Sequence, residues 1–354
     1  MSKKMKKKTT TITIAAALLI IILGVGAFLV FKPKDDTKKT AKNPVKTQEE
    51  VKEAPITIID PESNSRPIGF MINNADEART IQKGMSKAYI IYEILNYVDG
   101  RTRFLALYKD VTDNVTIGPI RSARIYHIDY ALENDMIFVH WGYSPQAESA
   151  ISEYKINNIN GLRWGDTYFW TEKGNISIAH RRFTSMDLIN KSINERFKYR
   201  TTTEVDNLLE YNGFNLTDED GIKADTVKIT YNSKTNVVEF KYNKDTGLYE
   251  RYVNGKEHID HNDNKILTGK NIIAYEIANS TISGDDSSRQ ELHNTGSGKA
   301  YYITNGYATE ITWEKDKFGS QTVYKYQDGS EVKVNDGNTW IEIVPVSDKA
   351  IELG

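Results

Sequence analysis

Cysteine is absent from all 354 residues. That excludes disulfides, thiolate metal sites, a cysteine nucleophile and any cysteine-linked lipid anchor in one step. Proline is scarce at 8 residues, which excludes collagen-like and Pro-rich classes. An excess of positive charge is also missing, since the formal net charge is −2, so no nucleic-acid partner is expected. What is present is ordinary for globular protein: 39% hydrophobic and 27% charged residues, too apolar for a fully disordered chain. The length allows two or three domains.

Long apolar runs are missing except for one. After MSKKMKKK, residues Ile12 to Phe31 carry no charge. A helix of that length spans about 30 Å, the thickness of a bilayer core. Lys3, Lys4, Lys6, Lys7 and Lys8 precede it, against Lys32 and Lys34 close behind. The positive-inside rule therefore keeps residues 1–8 cytoplasmic and carries the rest across. Residues 9–31 are read as a transmembrane anchor. A cleaved signal peptide, cut near Val25-Gly26-Ala27, is the rival; apolar residues continuing through Phe31 favour the anchor. Either way the bulk is extracytoplasmic. The five lysines are the sole charges in residues 1–31, so residues 32–354 carry −7. An acidic exported body is not drawn generally to phosphate-rich wall polymers, and any anion site must be local. Residues 32–55 are polar, charged and free of aromatics, as a solvated linker is.

Beyond the linker the texture becomes α+β. Residues 56–215 alternate strand-like runs (Arg66–Asn73, Tyr89–Leu95, Thr102–Lys109, Val115–Ile117, Met136–His140) with helical ones, which predicts an α/β domain with a mixed sheet. Ser122 is expected to cap a helix running to Glu133. Ser144-Pro145 should open a second over Gln146–Glu153, and Ser185 a third. Thr201-x-x-Glu204 reads as a capping box for a fourth, ending at Asn212-Gly213. In residues 224–347 eight short β-type runs, from TVKITY to WIEIVP, are separated by turn pairs such as Asn254-Gly255 and Asn305-Gly306. That spacing predicts a mostly antiparallel β domain.

Three constellations carry candidate chemistry. In Gly118-Pro119-Ile120-Arg121-Ser122-Ala123-Arg124, a turn leads into a helix start flanked by two guanidinium groups. Free backbone N–H groups, the helix dipole and two Arg forks make an anion site. The plainer alternative pairs each Arg with an acid such as Glu93, Asp129 or Glu133. In His140-Trp141-Gly142-Tyr143-Ser144, a strand end meets a helix start, where α/β folds bind ligands. Ser144 with His140 or His180 as base spells a hydrolase, but Ser before Pro is more simply an N-cap, and there is no G-x-S-x-G elbow. Ala179-His180-Arg181-Arg182 suits an oxyanion or a solvated basic turn. In the second half, His258-x-Asp260-His261-x-Asp263 has metal-like spacing but a turn-like setting, and no metal is expected there.

Asn73-Asn74, Tyr92-Glu93, Thr102-Arg103-Phe104, the Ile117-to-Arg124 stretch, His140-x-Gly142-x-Ser144-Pro145, His180 and a C-terminal series including Ile311-Thr312-Trp313 and Trp340-Ile341 follow one another in that order. In these motifs the chain resembles the YerB-type lipoprotein family of Gram-positive bacteria, which pairs an N-terminal and a C-terminal domain of unknown function. The resemblance spans most of residues 56–347. Family lipoproteins need a cysteine for lipid, so here the apolar segment must replace the lipid, or the protein is released. The resemblance implies location and layout and no reaction. The expected function is a membrane-anchored cell-envelope protein binding an anionic ligand of phosphate, carboxylate or glycan type, with the membrane and a wall polymer or envelope protein as partners. The expected lining is Arg121, Ser122 and Arg124, with Arg103, His140 and His180, and with Asn73, Glu93 and Ser144 close by. No cofactor and no catalytic residue is assigned. The alternative is an envelope glycopolymer phosphotransferase, loosely similar in layout to the LytR–CpsA–Psr enzymes with a metal on Glu93 or Asp129, or a hydrolase.

Overall fold

The computed structural model describes residues 58–212, 216–217 and 220–354. The apolar segment at 9–31, the linker at 32–55 and Gly213 lie outside them. The chain is α+β. Its first half supplies β1 (Ile68–Asn73), β2 (Ile90–Leu95), β3 (Thr102–Tyr108), helix α1 (Ile125–Glu133), β4 (Ile137–His140), helix α2 (Pro145–Glu153), β5 (Asn158–Asn160), helix α3 (Gly161–Tyr168) and helix α4 (Met186–Lys191). The second half adds β6 (Ile222–Lys223), β7 (Thr226–Asn232), β8 (Asn236–Asn243), β9 (Leu248–Val253), β10 (Asn271–Ile277), β11 (Gly296–Thr304), β12 (Tyr307–Lys315), β13 (Val323–Lys325), β14 (Thr339–Pro345) and β15 (Ile351–Leu353).

Strands from both halves form one 11-stranded sheet in the order β6-β12-β11-β10-β14-β2-β3-β1-β4-β5, with β13 alongside β12. The two halves meet where β2 pairs with β14 in parallel, placing Glu93 beside Glu342. Every residue of β2 is buried, as is β14 up to its last residue, which is why both read as near-continuous apolar runs. A second six-stranded sheet contains β9-β8-β7-β15.

Side-chain alternation builds the layers. Tyr92 points to one face, where its ring lies 5.0 Å from Tyr130 of α1. Glu93 points to the other and meets Arg251 of β9. On that side Trp340 of β14 packs edge-on to Phe104 and Phe240, at 5.6 and 5.7 Å. Arg103 shares the α1 face with Tyr92, because it sits opposite Ile94 in the ladder. This register delivers a guanidinium to the start of α1.

Several expected elements form as the pattern implies. Ser144 caps α2 by accepting from the Ala147 N–H at 3.4 Å, with Pro145 at the first helical position. Ser185 caps α4 in the same way. Two expectations fail. Ser122 is not the cap of α1; Arg124 is. Residues 121–123 run extended because Arg121 N–H bonds Met71 C=O (2.8 Å) and Ala123 N–H bonds Gly142 C=O (2.9 Å). No helix forms at 201–212. Glu204 N–H donates to Asp135 (2.9 Å) and Thr203 N–H to Asn64 C=O (2.7 Å), so the donors a first turn needs are committed elsewhere. Glu210–Asn212 is instead a strand parallel to Lys333–Asn335.

Candidate anion site at the start of helix α1

The β2–β3 hairpin turns through Val98-Asp99-Gly100. Gly100 has φ +87°, and a Cβ there would lie 2.3 Å from Asn232 Cβ, so the turn requires glycine. The turn brings Tyr97 back over Arg101, whose guanidinium lies 4.3 Å from the ring centroid. Arg103 Nη2 and Arg124 Nη2 both donate to Tyr97 Oη, at 3.2 and 3.1 Å. Arg103 also donates to the Ser122 carbonyl, and Arg124 to the Ala123 carbonyl at 2.8 Å. Arg121 is half-buried beside them, and its side chain makes no hydrogen bond or ion pair among the described residues.

The electrostatics are unusual for what they lack. Arg103 and Arg124 are 3% and 8% exposed, yet neither they nor Arg121 has a carboxylate partner among the described residues. Arg66, Arg251 and Lys315, also well buried, each have one: Asp135 at 3.1 Å, Glu93, and the Glu133 and Asp129 pair. Burial, then the adjacent Arg124, push Arg103 down to about 9, still cationic at neutral pH. Burial raises the Tyr97 phenol, but Arg103, Arg124 and Arg121 outweigh it and hold the phenol below its ordinary value. His127, fully buried, is driven well below the usual histidine range by burial and then by Arg103 and Arg124. It is neutral. Its Nδ1 accepts the Arg124 N–H at 2.9 Å, which assigns the ring proton to Nε2. That Nε2, Arg124 Nε and Tyr126 Oη are buried polar atoms with no partner. Such orphans are rare in a finished interior.

His180 and Asn73 stand at the border of this cluster, joined through Asn73 Nδ2 and His180 Nδ1 at 2.6 Å. His180 Nε2 lies 3.8 Å from Glu77. Burial and then Arg121 lower the His180 imidazole, with Glu77 opposing. A cavity of about 330 Å³ opens next to them, lined by residues including Asn74, Glu77, Arg101, His180, Thr235 and Asn236. Both halves of the chain therefore contribute to its wall.

Arg103, Arg121, Ser122, Arg124, Asn73 and His180 thus come together or border one another. Three expected residues lie elsewhere. His140 is fully buried, its ring stacked on Phe138, with Nδ1 2.8 Å from Gly142 C=O and Nε2 3.1 Å from Asn158 Oδ1. It is a satisfied interior histidine. Ser144 is occupied as a helix cap. Glu93 is enclosed between the sheets, where it accepts from Arg251, Asn74 (3.0 Å) and Thr102 (2.6 Å). In the 258–263 motif, Asp260 accepts from Gly84 and Ser86 N–H groups (3.0 and 2.9 Å), tying the two halves together. Sequence reasoning missed Tyr97, Arg101, Tyr126 and His127. The signal available was Tyr97-x-x-x-Arg101-x-Arg103 across a tight hairpin, together with the Tyr126-His127 pair two residues after Arg124.

A family model described as "Protein of unknown function (DUF3048) N-terminal domain" matches residues 55–210, and its C-terminal counterpart matches residues 227–341. The protein named "Putative lipoprotein YerB" of Bacillus subtilis (strain 168) is 31% identical over 322 residues, covering 89% of each chain. The chain belongs to the YerB family. The crystal structure of the YerB protein from Bacillus subtilis is similar to it, with a TM-score of 0.71 and 30% identity, covering 90% of this chain and 100% of that one. The family models carry no stated activity, so membership brings fold and layout. The Bacillus relative is named a lipoprotein, whereas this sequence holds no cysteine. Among the described residues no helix is long and apolar enough to cross a membrane.

Proposed function

We propose that the protein is an envelope-located, membrane-anchored binding protein that holds an anionic ligand at the start of α1. The observation that carries the reading is the set of three clustered guanidinium groups, Arg103, Arg121 and Arg124, without a carboxylate among the described residues. Buried charges are ordinarily paired, and a pair completed by a ligand satisfies that requirement. The anchor rests on the apolar stretch Ile12–Phe31 behind five lysines, and the location on the lipoprotein name of the Bacillus relative. Binding is preferred to catalysis. Glu93 and Asp129, the acids a phosphotransferase would use for metal, are enclosed and engaged by Arg251 and Lys315. Ser144 and His140, the hydrolase pair, are engaged by helix and loop. Calorimetric titration of the full chain in detergent with inorganic phosphate tests the reading. Arg121→Ala and Arg124→Ala should each weaken binding at least about tenfold, as loss of a charge-assisted bond does. No binding by the wild type, or equal binding by both folded variants, would overturn it.

A further inference from the structure

The cluster contains a hydroxyl as well as cations. Tyr97 Oη accepts from Arg103 Nη2 and Arg124 Nη2, which occupies both its acceptor positions. Its own O–H has no acceptor among the described residues. The acids nearest to its neighbours are already engaged: Asp99 by Arg101 at 2.8 Å, and Asp285 by Arg289 at 2.6 and 2.8 Å. Tyr126 and Arg289 also face Tyr97, and neither supplies an acceptor to it. The unengaged donors are therefore the Arg121 fork, Arg124 Nε, 92% buried by residue, Tyr97 O–H, and on α1 the Tyr126 O–H and His127 Nε2–H.

We propose that Tyr97 completes the site as a direct hydrogen-bond donor to the ligand, and that the ligand is a multiply charged anion of the phosphate class and not a monocarboxylate. This rests on the anion-binding reading above and narrows it. Charge decides the class. One carboxylate would leave about two of three clustered guanidinium groups uncompensated, while a phosphate or diphosphate carries roughly two or more negative charges. Shape agrees with charge. A carboxylate presents its lone pairs in one plane, whereas a phosphoryl group offers three oxygens in separate directions to donors reaching it from the hairpin, the 118–124 turn and α1.

The same geometry gives an optical readout. Arg103, Arg124 and Arg121 hold the Tyr97 phenol down, so an anion that compensates them must let it rise. The experiment titrates the full chain in detergent with sodium acetate, inorganic phosphate and pyrophosphate, in wild type, Tyr97→Phe and Arg121→Ala. Tyrosinate absorbance is followed at alkaline pH. Expected are at least tenfold weaker binding of acetate than of phosphate, and pyrophosphate the tightest. Tyr97→Phe should stay folded with a thermal midpoint a few degrees lower, because Arg103 and Arg124 lose their shared acceptor, and should weaken phosphate about tenfold. Phosphate should remove tyrosinate absorbance from the wild type and not from Tyr97→Phe. Acetate binding as well as phosphate, or a folded Tyr97→Phe variant binding phosphate like the wild type, would overturn the proposal while leaving an anion site in place. If the parent reading fails, no anion binds at all and Arg121→Ala changes nothing.

Discussion

Replacing Arg103 with methionine should stabilise the protein while disabling its site. The side chain is 3% exposed and has no counter-charge among the described residues. Its fall from 12.5 to about 9 corresponds to roughly 4–5 kcal/mol against keeping that guanidinium charged, at about 1.4 kcal/mol per pKa unit. Methionine fills a similar volume and removes that penalty. It also loses the hydrogen bonds to the Ser122 carbonyl and Tyr97 Oη, each contributing about 1–1.5 kcal/mol. The balance is a gain of about 1–3 kcal/mol, or an increase in Tm of a few degrees for a chain of this size. The assay is urea unfolding with and without inorganic phosphate. Phosphate at about 100 times the wild-type Kd should add about 2.7 kcal/mol to the wild type and at most about 1.4 kcal/mol to Arg103→Met, if its binding is weakened at least tenfold. A loss of 2 kcal/mol or more in Arg103→Met would refute the reasoning. It would mean that the guanidinium holds the turn together and is not kept there for a ligand.

Other outcomes follow from the interior. Arg251→Met should cost about 3–5 kcal/mol in urea unfolding, because it leaves Glu93 buried beside Glu342 without its cation. Glu342→Gln should change stability by less than about 1 kcal/mol, since burial and then Glu93 hold the Glu342 carboxyl well above its ordinary value, in the neutral form that Gln imitates. Ser144→Ala should cost about 1 kcal/mol through the lost cap and leave phosphate binding unchanged, as measured by calorimetry. Stability should also fall as pH drops below about 6.5. His127, His140 and His258 have folded values below the unfolded one, so the unfolded chain binds more protons there. Asp129, raised to about 6 chiefly by burial, and Glu342, raised by burial and then by Glu93, act in the opposite sense, but the lowered imidazoles, His180 among them, outnumber the two raised carboxyls. Unfolding midpoints that stay flat from pH 5 to 6.5 would contradict this.

Much of the secondary structure is legible locally because its causes are local. Asn254-Gly255 and Asn305-Gly306 take positive φ at both residues and join adjacent strands, as their composition requires. Ser144 and Ser185 cap helices because each cap and the N–H it accepts lie within three residues. The failures have non-local causes. Thr201 to Glu204 has the letters of a capping box, but Asp135, distant in sequence, takes the Glu204 N–H. Ser122 has the letters of a cap, but Met71 and Gly142 hold its neighbours extended.

The candidate site divides along the same line. Arg121 and Arg124 stand three residues apart beside a turn, which marks the segment in one dimension, but residues 121–123 run extended, so the tertiary course of the turn and not helical spacing brings the two guanidinium groups near each other. His140 and Glu93 carry equally suggestive chemistry in one dimension. Only the alternation of β4 and β2 about the sheet turns them inward to Asn158 and Arg251. Tyr97 is the converse case: an unremarkable tyrosine until the hairpin folds it beneath Arg103 and Arg124. The sequence by itself determined the strands, their turns, the charge balance and the residue types available at each element's end, because these depend on neighbours within a few positions. The tertiary structure decided which charges found partners and which did not, because compensation depends on distance through space between residues that the chain keeps far apart.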